Sequence, residues 1–151
     1  PMGTNTVPLI SSGVAGPLGV LHLPRLWLKL RLETAGQLHA DYPSIGKGFD
    51  HMVIEGLGLN EEAVAAFVKG QRPTYPQFEA WVRAQPGVKL EKESVEALNA
   101  SITGYNHDDA TRKKILEANS LPDDESAQRD AVNLNNLDDW FTFHMQLTAA
   151  S

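Results

Sequence analysis

Cysteine is absent from the 151-residue sequence, which excludes disulfides, thiolate metal sites and cysteine nucleophiles. The fold must then stand on a packed core, and a reducing cytoplasm suits such a chain. Excess positive charge is also missing: 13 Lys and Arg face 19 Asp and Glu, a formal net charge of −6. An acidic chain lacks the basic footprint that releases counterions from nucleic acid or an anionic membrane, so neither is an expected partner. No uninterrupted apolar run approaches the roughly 18 residues of a membrane-spanning helix. The apolar stretch over residues 7–21 is broken by Pro and Gly and has no basic leader, so it does not read as a signal peptide. No stretch alternates apolar and polar residues long enough to argue for a strand. No repeat recurs at a fixed period, and no tract is of low complexity.

What is present is ordinary globular composition, 42% hydrophobic and 21% charged, at a length suited to one domain. The most hydrophobic segment is His22-Leu-Pro-Arg-Leu-Trp-Leu-Lys-Leu-Arg-Leu32. Its helix should start at Leu23, where Pro24 fits the first turn, and stop at Gly36 or in the turn after Leu38. Leucines surround it so widely that only Arg25, Lys29 and Glu33 form a polar line, and a helix of that girth is buried on most sides. Shorter helices are predicted over 49–57, 61–69, 76–84, 94–103, 108–118 and 137–147. Asn60 should cap the 61–69 helix, and Trp140, Phe141, His144 and Leu147 should share one face of the last. The predicted fold is all-α, one compact domain of about six helices packed on a hydrophobic central first helix. Residues 1–21 form an irregular lead-in and 22–151 the helical domain, and Pro1 before Met2 reads as a cleavage scar ahead of the initiator.

The segment Gly16-Pro-Leu-Gly-Val-Leu-His-Leu-Pro-Arg-Leu-Trp-Leu-Lys-Leu-Arg-Leu, followed by Ala35-Gly-Gln-Leu38, resembles the opening of a bacterial family catalogued as domain of unknown function fifty sixty-nine. A Gly-rich lead-in, Leu-Pro-Arg, a Lys four residues later and Ala-Gly before a loop fall here on Arg25, Lys29, Ala35 and Gly36. Residues 49–82 and the ending Asn136-Leu-Asp-Asp-Trp-Phe141 are similar to that family too. The resemblance implies a small helical protein and carries no assigned activity. His22 and the polar stretch 121–133 depart from its pattern.

Three constellations could carry chemistry. Arg25 and Lys29, one helical turn apart, could place two cations beside one carboxylate or phosphate, or could pair with helix carboxylates. His39, Asp41, His51 and Glu55 lie in one helix-loop-helix stretch. His51 and Glu55 are spaced i,i+4, so this set could supply a general base and its orienting partner, or a metal site. His144 beside Trp140 and Phe141 could be a base whose pKa burial lowers. His107, Asp108 and Asp109 read as helix-start residues, the glycines at 46, 48, 56 and 58 form no phosphate loop, and Ser11, Ser12 and Ser44 have no nucleophile elbow around them.

These residues suggest a cofactor-free lyase, isomerase or hydrolase acting on a small anionic or aromatic molecule. His39, His51, His144 and Asp41 would supply acid-base chemistry. Arg25 and Lys29 would anchor the ligand, with Trp27, Tyr42, Trp140 and Phe141 as walls and no metal. The alternative is a non-catalytic interaction module whose aromatic stripes are core. Oligomeric state is left open.

Overall fold

Capping chemistry explains where most helices begin. The computed structural model describes residues 5–150, so the expected scar at Pro1 lies outside the described residues. Seven helices run in order among them: α1 (Leu23–Thr34), α2 (Phe49–Leu57), α3 (Glu61–Gln71), α4 (Tyr75–Arg83), α5 (Lys92–Thr103), α6 (Asp109–Ala118) and α7 (Ala131–Ala150). Asn60 accepts from the Ala63 N–H at 2.9 Å and so starts α3. Thr74 and Gln77 form a reciprocal capping box at α4. Asp108 accepts from the Thr111 N–H at 2.7 Å and starts α6. No strand forms among the described residues, only three isolated bridges, and no helix is long and apolar enough to cross a membrane. The fold is all-α.

The last helix begins six residues earlier than its apolar spacing predicts. Asp130 accepts from the Asn133 N–H at 3.0 Å, and Leu134 is fully buried, so the supposed polar stretch up to residue 133 already contains helix. The third helix overruns its predicted stop because Gly70 stays helical and Arg72 takes the left-handed position instead, at φ 46°.

Contacts group the described residues into two compact units, one ending at residue 102 and the other beginning at residue 103. In the first, α1 packs against α2, α3 and α4. Leu23, Leu26 and Leu30 of α1, Val53 and Leu57 of α2, Val64 and Val68 of α3, and Phe78 and Val82 of α4 are all buried. Each such fully buried side chain contributes about 2 kcal/mol through the area it withdraws from water. The lead-in belongs to this core, since Val7 and Val20 are 3% and 1% exposed. At Gly16 it lies against the Tyr75 and Glu79 side chains of α4. A Cβ on Gly16 would stand 2.6 Å from the Glu79 carboxylate. Glu79 in turn accepts from the Leu18 N–H and the Tyr75 hydroxyl, at 3.2 and 2.7 Å.

In the second unit α6 packs on α7 around Ile115, Leu116 and Leu134. Arg112 ties the linker to α6 through Asp123, donating from Nε and Nη2 at 2.9 and 3.3 Å.

Candidate functional site

His22, Arg25 and Lys29 stand at spacings of three and four residues, which puts all three on one face of α1. All are buried, at 2%, 6% and 6% exposure. Buried cations need partners, and the fold supplies them from α2 and the lead-in. Lys29 Nζ pairs with Asp50 Oδ2, and the Gly46 N–H donates to the same oxygen at 2.7 Å. His22 Nε2 lies 2.6 Å from Asp50 Oδ1, and His22 Nδ1 lies 2.9 Å from Ser12 Oγ. Ser12, His22, Asp50 and Lys29 therefore form one continuous hydrogen-bonded chain, sealed from solvent. Phe49 packs on the imidazole with its ring centre 5.5 Å away.

Charge assigns the protons along that chain. Burial alone would push the Asp50 carboxyl up. The hydrogen bond from His22, the Lys29 cation and the Gly46 N–H outweigh it and hold the pKa at about 2. An ionised carboxylate only accepts, so the imidazole proton sits on Nε2. Burial lowers the His22 pKa, with the Lys29 and Arg25 cations adding to it against the pull of Asp50, so the ring is neutral at pH 7. Nδ1 is then an acceptor, and the Ser12 hydroxyl donates to it.

His22 does this from an unusual backbone. It caps α1 in the left-handed region at φ 72°, ψ −22°, where a side chain crowds its own carbonyl. Bonds on every side hold it there: its N–H donates to Val14 O, its C=O accepts from the Leu26 N–H, and both ring nitrogens are engaged.

The other predicted residues fall elsewhere. Arg25 donates to the carbonyls of Pro8 and Ile10 at 2.8 and 3.0 Å and lies over the Tyr42 ring at 5.8 Å. Arg25 and Lys29 are thus engaged with the protein itself rather than displayed to a ligand, because α1 is enclosed too far for either to reach the surface. His39 packs edge-on against Tyr42, and its Nδ1 accepts from the Asp41 N–H at 3.0 Å in a turn. His51 pairs with Glu55 at 3.3 Å on the exposed side of α2. The expected grouping of His39, Asp41, His51 and Glu55 does not assemble: among the described residues no three metal-ligating side chains converge. Trp27 turns to α4, donating to Pro73 O at 3.0 Å and meeting Tyr75 edge-on. In the second unit the predicted wall residue Trp140 is 59% exposed, Phe141 is half-buried, and His144 is exposed rather than walled in by aromatics.

A family model described as "Domain of unknown function (DUF5069)" matches residues 11–141. The chain belongs to that family. No curated protein matches it. The DUF5069 match begins one residue before Ser12 and spans His22, Arg25, Lys29 and Asp50, so the whole hydrogen-bonded chain lies inside the family's domain. It ends at Phe141, before His144.

Sequence reasoning passed over Ser12, His22 and Asp50. Ser12 has no elbow motif, His22 sits at a helix start, and Asp50 reads as an ordinary first-turn acid. The available signal was Lys29 itself. A lysine on a helix apolar nearly all round either snorkels to the surface or pairs with a buried carboxylate, and Asp50 in the first turn of the next helix was one available acid.

Proposed function

We propose that this DUF5069 protein is a small cofactor-free hydrolase whose chemistry is centred on His22, acting on a small ester or amide-type substrate. One observation carries the reading: a neutral imidazole accepts from the Ser12 hydroxyl on one side and donates to the ionised Asp50 carboxylate on the other. That connectivity is the one that activates a serine for attack. As Ser12 Oγ bonds the substrate carbonyl carbon, its proton passes to His22 Nδ1 and then to the leaving group, whose bond to that carbon breaks. A water then gives its proton to His22 Nδ1 and attacks the acyl carbon, and the Ser12 oxygen leaves and takes that proton back. Asp50 fixes the tautomer and stabilises the transient imidazolium, while Lys29 keeps Asp50 ionised and in place.

Ser12 is 1% exposed, so the resting arrangement is closed. Ser12 sits in a turn held by the Val14 N–H to Ser11 O at 3.2 Å and the Gly13 N–H to Ser11 Oγ at 3.0 Å. Catalysis requires that turn to loosen at Ser11 while Ser12 Oγ stays on His22 Nδ1. This would admit a substrate and release the Gly13 N–H from Ser11 Oγ, the donor next to the nucleophile that would meet a developing oxyanion.

Labelling with an alkyl fluorophosphonate tests this, read by mass spectrometry of the intact chain and of its peptides. Wild type should carry one adduct on Ser12, and Ser12→Ala none. An unlabelled wild type, with ester turnover equal to that of Ser12→Ala, would leave the polar chain as a packing device only. The second reading, a non-catalytic interaction module, would then take precedence. One feature favours that reading: Trp140, Phe143 and Leu147 lie on one face of α7 and are 59%, 37% and 55% exposed.

A further inference from the structure

Nine residues beyond His22, about 14 Å along α1 at the helical rise of about 1.5 Å per residue, lies a second polar feature. The end of α1 and the end of α3 enclose a cleft of about 370 Å³ lined by Arg31, Thr34, Ala35 and Arg72. We infer that this cleft binds the phosphate group of a small phosphorylated molecule.

The two guanidiniums carry the argument. Arg31 donates from Nε to Pro73 O at 3.1 Å, which fixes the plane of its fork and leaves the Nη groups available. No carboxylate pairs with Arg31 or Arg72 among the described residues, although the chain carries six more acidic than basic side chains. Two arginines lining one cleft, with no carboxylate paired to either, repel one another, and an oxyanion accepting from both would relieve that repulsion. The carbonyl ends of α1 and α3 each contribute about half a negative charge, which two full positive charges exceed. The volume falls within the range of roughly 300 to 1,000 Å³ typical of small-molecule sites, so an organic body can accompany the phosphate.

The backbone of Arg72 is the second observation. It closes α3 at φ 46°, ψ 56°, a left-handed position that glycine takes without strain. A long cationic side chain at such a position is a local cost that the helix end itself does not require, and phosphate binding gives it a purpose.

Isothermal titration and thermal shift with inorganic phosphate and phenyl phosphate, against chloride at matched ionic strength, test the proposal. Wild type should show saturable binding and a rising midpoint with phosphate, absent with chloride. Tighter binding of phenyl phosphate would place the organic body in the same cleft, and equal binding would mean that the phosphate alone is read. Arg72→Gly is the decisive variant: it removes one guanidinium and relieves the left-handed strain, so it should fold at least as stably as wild type while losing tenfold or more in phosphate affinity. Arg31→Gln should lose affinity likewise. A wild type indifferent to phosphate, or an Arg72→Gly protein that binds it unchanged, would overturn the assignment.

Discussion

Asp50 Oδ1 receives the His22 ring at 2.6 Å while its other oxygen holds Lys29, so a single carboxylate joins two turns of α1 to the head of α2. All three groups are out of water, and the order in which they are removed should matter.

Asp50→Asn leaves Lys29 charged and buried without a counter-ion and should cost about 3 to 5 kcal/mol in urea denaturation. Lys29→Met should cost less, because His22 and Gly46 still donate to Asp50. The double variant should be more stable than the sum of the single losses predicts, by at least about 1 kcal/mol. Simple additivity would mean that the two charges do not depend on one another.

Stability should fall with acid in two stages. The folded pKa of His22 lies below its unfolded value of 6.5, so the unfolded chain takes up a proton first and stability declines as pH drops below that value. Asp50 is also depressed, from 3.8 to about 2, and contributes stability that is full above pH 4 and lost as pH falls through 2. That second stage amounts to about 2 kcal/mol at about 1.4 kcal/mol per unit. Urea midpoints measured from pH 8 to pH 2 should show both stages. His22→Asn, which suits a left-handed backbone, should remove the first; a wild-type curve flat between pH 7 and 5 would contradict the neutral-imidazole assignment.

Two glycines should respond oppositely to a methyl group. Gly16→Ala drives a Cβ into Tyr75 and Glu79 and should destabilise by about 1 to 3 kcal/mol. Gly70→Ala meets nothing within 4 Å and lies inside α3, so it should stabilise by about 0.5 to 1 kcal/mol. Thermal midpoints of the two variants decide it.

Local chemistry was readable from the chain, and long-range partnership was not. The second helix falls on residues 49–57 as its apolar pattern predicts, and Asn60 caps α3 because a side-chain oxygen at that position satisfies an N–H three residues on. The polar face of α1 was visible as well, since Arg25 and Lys29 are conspicuous on an apolar helix. Their partners were hidden because Ser12, His22 and Asp50 are separated by 10 and 28 residues and meet only through tertiary packing. Trp140 misled for the opposite reason: an aromatic at helical spacing reads as core, yet this one is 59% exposed.

The irregular lead-in has a consequence for anyone shortening this protein. Pro8 and Ile10 supply the acceptors for Arg25, Ser12 supplies the donor for His22, and Val14 O receives the His22 N–H. A fragment beginning at the first helix would keep every helical residue of that unit and remove these hydrogen-bond partners from two buried side chains. The smallest self-sufficient piece is therefore defined by a stretch with almost no regular structure, and a boundary drawn by helix content alone would cut through the core.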